Sequence, residues 1–234
     1  MLEIAVDGLT KDFGSTRAVD NVSFEVQPGR VAGFIGSNGS GKTTTLRMLL
    51  GLVTPSSGEA LIGGRRFADL EDPARQVGAV LEARAFHPGH TARDHLRVIA
   101  TEARLPHRRV DEVLEIVGLT GTADRRAGTF SLGMGQRLSL AAALLGDPAV
   151  LILDEPTNGL DPAGIRWLRE FLRDLAAEGR TVVLSSHALA EVQQTADEVL
   201  ILDAGRLLMH RPLSAIDSLE DAFLTLTDRE ERVV

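Results

Sequence analysis

The sequence predicts an α/β fold with a parallel-sheet core, an antiparallel β lead-in and an inserted α-helical segment. Three observations predict it. An apolar run, Val31 to Ile35, is followed at once by the glycine-rich loop Gly36-Ser37-Asn38-Gly39-Ser40-Gly41 and then by helical periodicity. A second apolar run, Val150-Leu151-Ile152-Leu153, ends in the acidic pair Asp154-Glu155, as expected of a central parallel strand buried on both faces. Between the two runs, from Thr91 to Leu145, apolar residues recur at helical spacing.

Taken in order, Leu2, Ile4 and Val6 alternate as a strand, and Arg17 to Val26 reads as a second before the turn Gln27-Pro28-Gly29. These form the antiparallel lead-in. Val31 to Ile35 is a short buried strand, and Lys42 to Leu50 a helix with Leu46, Leu49 and Leu50 on its apolar side. A turn at Thr54-Pro55-Ser56-Ser57-Gly58 leads to short strands near Glu59 to Ile62 and Val77 to Leu81. In the helical stretch, Leu96, Ile99 and Ala100 mark one segment, and Val110, Val113, Leu114 and Val117 the next. After the second apolar run, Asp161-Pro162 is a strong helix start, an N-cap aspartate before a proline at the first helical position. Ile165, Leu168, Leu172 and Leu175 are its core face. Thr181 to Leu184 and Val199 to Leu202 read as strands flanking a helix at Ala188 to Ala196.

At 234 residues, 44% of them apolar, the chain suits one domain with an inserted subdomain. The expected division is 1–85 and 147–213 for the core, 86–146 for the helical insertion and 214–234 for a short packing tail. In that tail Leu219, Ala222, Phe223 and Leu226 follow the possible cap Ser218 at helical spacing. The absence of cysteine excludes a disulfide framework, a thiolate metal site and thiol redox chemistry. A net charge of -8 disfavours non-specific nucleic-acid binding, and no nucleic-acid partner is expected. The pairs Arg65-Arg66, Arg108-Arg109 and Arg125-Arg126 have acidic residues within a few positions and read as solvated surface. The first residues lack a basic region, and no run approaches the roughly 18 apolar residues of a spanning helix. The chain is expected to be soluble by itself.

Gly36 to Thr43 fits GxxxxGK[ST] at every fixed position, between a strand and a helix. This is a P-loop, a cradle for nucleotide phosphates. Its glycines let successive N-H groups turn inward toward phosphate oxygens, and the helix adds its positive end. Lys42, one of two lysines among 25 basic residues, supplies a compact point charge where a planar guanidinium would not thread the loop. Thr43 offers a hydroxyl to Mg²⁺. Asp154 and Glu155, at the end of a buried strand, are the natural partners: Asp154 for the ion, Glu155 to orient or deprotonate the attacking water.

Together, Gly36 to Thr43, Ser131-Leu132-Gly133-Met134-Gly135-Gln136-Arg137, Leu153-Asp154-Glu155-Pro156, Asn158-Gly159-Leu160-Asp161 and Ser186-His187 resemble the ATP-binding subunits of ABC transporters over nearly the whole chain. The resemblance implies a P-loop NTPase (RecA-like) core with an antiparallel β lead-in and an inserted α-helical signature subdomain. It implies an ATPase that binds ATP with Mg²⁺, forms a homodimer on ATP binding and powers export through a separate integral-membrane permease. The protein would then lie peripherally on the cytoplasmic face of the cell membrane. Ser37, Asn38, Gly39, Ser40 and Thr44 join the other loop residues around the phosphates. Ser131, Gly133 and Gly135 belong to the signature segment, which faces the γ-phosphate held by a second copy. Asp161 would contact the other copy, His187 would sense the γ-phosphate, and Phe13, in Asp12-Phe13-Gly14, would stack on adenine. Without the resemblance, His187 is an ordinary polar residue at a strand end and Phe13 a packing residue. A soluble ABC ATPase of repair, chromosome or translation type is the alternative; those generally carry a zinc insertion, a long coiled coil or a second cassette.

Two departures from the family pattern stand out. The signature usually reads LSGGQ, whereas Leu132 here replaces the first paired glycine and Met134 the glutamine. If Leu132 points away from phosphate, the Ser131 hydroxyl and the Gly133 N-H survive. The pattern is common in subunits resembling exporters of antibiotics and peptides. The second departure is Glu82, which stands where the family has glutamine. It is expected to coordinate Mg²⁺ directly or through water, next to a transporter contact near Arg84 to His90.

Overall fold

The computed structural model describes residues 1–82 and 85–230. In chain order its elements are β1 (Ile4–Phe13), β2 (Thr16–Val26), β3 (Val31–Ile35), α1 (Lys42–Leu49), β4 (Ser57–Ile62), α2 (Pro73–Gln76), β5 (Val77–Val80), α3 (Ala92–Glu102) and α4 (Arg108–Ile116). There follow α5 (Leu132–Leu144), β6 (Val150–Leu153), α6 (Pro162–Ala177), β7 (Thr181–Ser186), α7 (Leu189–Thr195), β8 (Glu198–Asp203), β9 (Arg206–Pro212) and α8 (Leu219–Glu230). The chain divides into two compact units: Met1–Asp69 with the chain from Arg169 onward, and Leu70–Leu168. The segment 86–146, expected as the insertion, falls inside the second unit, which also holds β5 and β6.

In the first unit, β1 pairs antiparallel with both β2 and β4, so the expected lead-in is a three-stranded sheet. β1 runs well beyond the alternating Leu2 to Val6 segment because Gly8, at φ 56°, lets the strand continue through a register shift. The parallel sheet places β3 between β7 and β8, and β9 closes it antiparallel to β8. Every residue of β3 is buried, as a central strand of such a sheet requires. Gly33 admits α7 against β3, since a Cβ there would overlap Val192 Cγ1. Phe24 of β2 meets Phe34 of β3 edge-on at 5.1 Å, joining the two sheets. On α1, Leu46 and Leu49 are fully buried; each such leucine contributes roughly 1.5–3 kcal/mol, enough to fix the helix that opens the phosphate loop.

In the second unit, β5 and β6 pair in parallel from Val77↔Val150 to Val80↔Leu153. Gly78 lets β5 lie against α5, because a Cβ would overlap the Ala143 carbonyl. Leu96, Ala100, Val110, Val113, Leu114 and Val117 are buried, on the faces their spacing indicated. Arginines then tie the helices. Arg93 Nε donates to Asp124 at 2.9 Å, and its guanidinium also pairs with Asp111. Arg109 donates to the carbonyls of Leu144 (3.0 Å) and Leu145 (3.1 Å) at the end of α5, where a cation complements the negative end of the helix.

β9 is absent from the sequence-based expectation. Its residues are half-buried or exposed rather than a fully apolar run, and its signal is the turn at Ala204-Gly205, both at positive φ (44° and 81°), as a tight hairpin needs. The tail forms α8, whose Ser218 hydroxyl accepts from the Asp221 N-H at 3.2 Å; Leu219 is buried.

Candidate nucleotide site

β3 ends at Ile35 and α1 begins at Lys42, so residues 36–41 must turn the chain from strand into helix. Gly39 (φ 86°) and Gly41 (φ 101°) adopt the left-handed conformations this needs. Side chains are also excluded by space. A Cβ on Gly36 would overlap the Leu202 carbonyl and Ser40 Oγ, and one on Gly41 would lie 2.7 Å from the Ala18 carbonyl. Lys42 is only 6% exposed, and its Nζ donates to the carbonyls of Gly36 (2.7 Å) and Ser37 (3.0 Å). The ammonium therefore lies curled over the loop. Ser40 Oγ is buried without a hydrogen-bond partner, an arrangement that costs about 1–3 kcal/mol unless a ligand answers it. The first turn of α1 carries no acidic side chain, so its positive end is undiluted. A glycine-lined loop, an ammonium, a helix N-terminus and an orphaned hydroxyl fit a polyphosphate.

Neighbouring strands hold the loop in place. Gly205 N-H donates to the Ser40 carbonyl (3.2 Å), and Asp20 N-H to the Gly205 carbonyl (2.8 Å). Ser37 Oγ donates to Asp203 at 3.1 Å. Sequence reasoning missed Asp203 and Gly205; the Ala204-Gly205 hairpin turn was the signal available. Asp20 also accepts from Arg206 (2.8 Å) and Arg17 (3.0 Å), and these hydrogen bonds hold its carboxyl below the usual range. Phe13 ends β1 with 51% of its surface exposed and Lys11 Nζ 5.0 Å from its ring centre. An exposed aromatic ring here is a packing residue only in small part.

The sheet register places His187. Ile35 pairs with Ser186, so Gly36 and His187 each leave the sheet one residue later, at its carboxyl end, where ligands of open α/β sheets collect. Ser186 Oγ accepts from the Ala188 N-H at 3.0 Å, bending the chain around an exposed His187.

The second unit carries the other named residues. Asp154, half-buried, follows β6, and its N-H donates to the Val80 carbonyl at 2.7 Å. Glu155 has φ 49°, left-handed for a residue with a side chain. Such a conformation costs on the order of 1–3 kcal/mol and persists where the surroundings enforce it. Here Asn158 N-H donates to the Glu155 carbonyl (3.2 Å) and Leu160 N-H to the Thr157 carbonyl (3.0 Å). Asp161 Oδ1 then accepts from Gly164 N-H at 2.7 Å, the helix cap expected for α6. Ser131 is the N-cap of α5, accepting from Met134 N-H at 3.2 Å. Gly133 lies in the first turn and Gly135 is buried within the helix. Leu132 leans on Gly159, where a Cβ would overlap its side chain. Glu82 follows β5 as an exposed carboxylate. Arg84, part of the expected transporter contact, lies outside the described residues. Among the described residues, no group of three histidine, aspartate or glutamate side chains is close enough to hold a metal, and no helix is long and apolar enough to cross a membrane.

Comparison with known proteins agrees with this geometry. Residues 19–158 match the family model described as ABC transporter. The chain is 43% identical over 236 residues to the bacitracin transport ATP-binding protein BcrA of Bacillus licheniformis, covering 99% of this chain and 77% of that one. It is 39% identical over 215 residues to the Nod factor export ATP-binding protein I of Cupriavidus metallidurans, covering 89% and 71%. Among solved structures, a dimeric ATP-binding cassette in a post-hydrolysis state with ADP and phosphate superposes with a TM-score of 0.81 at 25% identity, covering 90% of this chain and 98% of that one.

Proposed function

The chain belongs to the ABC transporter family as an ATP-binding protein and ATPase, and from that premise we propose that two copies close around ATP and drive export through a separate permease. The observation that carries this reading is the phosphate loop, with Lys42 held over the Gly36 and Ser37 carbonyls and Ser40 Oγ left orphaned. Around ATP, Gly36, Ser37, Asn38, Gly39, Ser40, Gly41 and Thr44 line the phosphates, and Lys42 transfers its donors from the two carbonyls to phosphate oxygens. Thr43 and Asp154 would hold Mg²⁺, which would supply positive charge to offset that of the phosphates. Glu155 takes a proton from the attacking water as the bond to the γ-phosphorus forms; the leaving oxygen of ADP takes the electron pair of the broken bond. His187 donates to the γ-phosphate, and Phe13 stacks on adenine.

Ser131, Gly133 and Gly135 of one copy serve the nucleotide of the other, and Asp161 belongs to the contact between copies. Ser131 and Gly133 suit that role because they are the N-cap and part of the first turn of α5. The permease supplies the membrane crossing, and the chain works from the cytoplasmic face, where ATP is. The relatives' names give bacitracin transport and Nod factor export, and export is the direction proposed for the transporter this chain serves.

Glu82 is proposed to touch Mg²⁺ directly or through water. Phosphate release from ATP by the purified chain is expected to require Mg²⁺ and to stop when a chelator removes it. The Glu82→Gln chain is expected to need about tenfold or more Mg²⁺ for half-maximal turnover, as loss of a carboxylate at or beside the ion predicts. Turnover that survives chelation contradicts the metal's role, and an unchanged Mg²⁺ requirement removes Glu82 from it.

A further inference from the structure

We propose that Leu132 is a positioning residue: its side chain, seated on Gly159, ties the N-terminus of α5 to the turn between Glu155 and Asp161. This rests on the composite site proposed above. Gly159 sits at φ 79°, and a Cβ there would overlap Leu132 Cγ and Cδ2 and lie 3.0 Å from Leu132 Cβ. The leucine therefore covers the bare Cα of the turn. The backbones meet as well, since a Cβ on Gly133 would be 3.2 Å from the Gly159 carbonyl and 3.6 Å from Leu160 Cδ2. Leu132 remains 47% exposed, so the core does not depend on it; its one-sided contact is with the turn.

That turn is stiff. It is held by the Asn158-to-Glu155 and Leu160-to-Thr157 hydrogen bonds and by the Asp161 cap, and packed contacts shift between discrete arrangements rather than deform smoothly. A glycine at position 132 would have no side chain to bear on it. Leu132 thus makes the Ser131-Gly133 face, which serves the partner's ATP, and the Glu155-Asp161 turn, which serves its own ATP and the dimer contact, move as one piece. The leucine that departs from the family's signature gives this chain a strut between the two.

A size-swap tests this. Turnover, KM for ATP and thermal unfolding are measured for L132A, L132M, G159A and the G159A/L132A double variant. G159A is expected to lose about 10-fold or more in kcat, with KM changed by no more than about 2-fold, because the phosphate loop is untouched and the catalytic turn is displaced. Truncating Leu132 to alanine removes the overlap with Cγ and Cδ2 and leaves the 3.0 Å approach to its Cβ and the strain of a left-handed alanine, which both variants share, so the double variant regains about 3-fold or more over G159A. L132M, which keeps the reach, stays within about 2-fold of the parent, while L132A falls below it. Additive losses in the double variant overturn the proposal, and so does L132M performing as poorly as L132A. Should G159A fail to fold, a folded double variant supports the strut, and otherwise L132M performing as poorly as L132A overturns it. Failure of ATP-driven dimerisation by the Glu155→Gln chain would refute the composite site alone, leaving the double-mutant coupling to be read from turnover and melting temperature.

Discussion

Replacing Glu155 by glutamine is expected to leave ATP binding intact and to slow hydrolysis by about two to four orders of magnitude, the usual contribution of a positioned general base. Glutamine keeps the size of the side chain and its hydrogen-bonding reach but cannot accept a proton from water. It also tolerates the backbone conformation about as well as glutamate does, so the turn held at φ 49° should persist. The phosphate loop belongs to residues the change does not touch. Equilibrium binding of a fluorescent ATP analogue and steady-state phosphate release separate the two effects. Turnover within tenfold of the parent would remove Glu155 from the chemistry and leave its strained backbone unexplained.

The second large effect is expected at Lys42. Lys42→Ala removes the charge that the phosphates meet and the donors that now satisfy two loop carbonyls. A hydrogen bond to a charged group is worth about 1.5–3 kcal/mol, so ATP affinity should fall by about one to two orders of magnitude and turnover below detection. Lys42→Arg is expected not to rescue binding. Lys42 is only 6% exposed and curls back on two loop carbonyls, a path that suits a compact ammonium on a flexible stem rather than a planar guanidinium. Titration calorimetry with ATP checks both variants; affinity retained in Lys42→Arg would mean that charge alone, rather than the compact ammonium, matters at this position.

The fold was legible where a segment is buried on both faces or carries a steric requirement. Val31–Ile35 and Val150–Leu153 are strands at the bounds their apolar runs indicated, and Asp161-Pro162 opens α6 as its capping chemistry requires. β9 was missed because an edge strand need not be apolar, and β1 was underestimated because its far end is only partly buried. At the site, glycine spacing disclosed the phosphate loop because each glycine answers a local demand. The support from Asp203 and Gly205 was hidden, since it arises when β8 and β9 bring residues distant in sequence beside Ser40. The sequence marked Leu132 as a departure without showing where its side chain goes; only packing against Gly159 does so. The left-handed backbone of Glu155 carries no sequence signal, because glutamate takes that conformation only when its surroundings impose it.

Closure of two copies around ATP is tested most directly by sedimentation velocity of the Glu155→Gln chain with ATP and Mg²⁺, with ADP, and without nucleotide. Slow hydrolysis should trap the closed form, giving a dimer boundary with ATP and Mg²⁺ and a monomer boundary in the other two conditions. The same chain carrying Lys42→Ala should stay monomeric throughout. A monomer boundary with saturating ATP bound would contradict a site completed by Ser131 and Gly133 of a second copy.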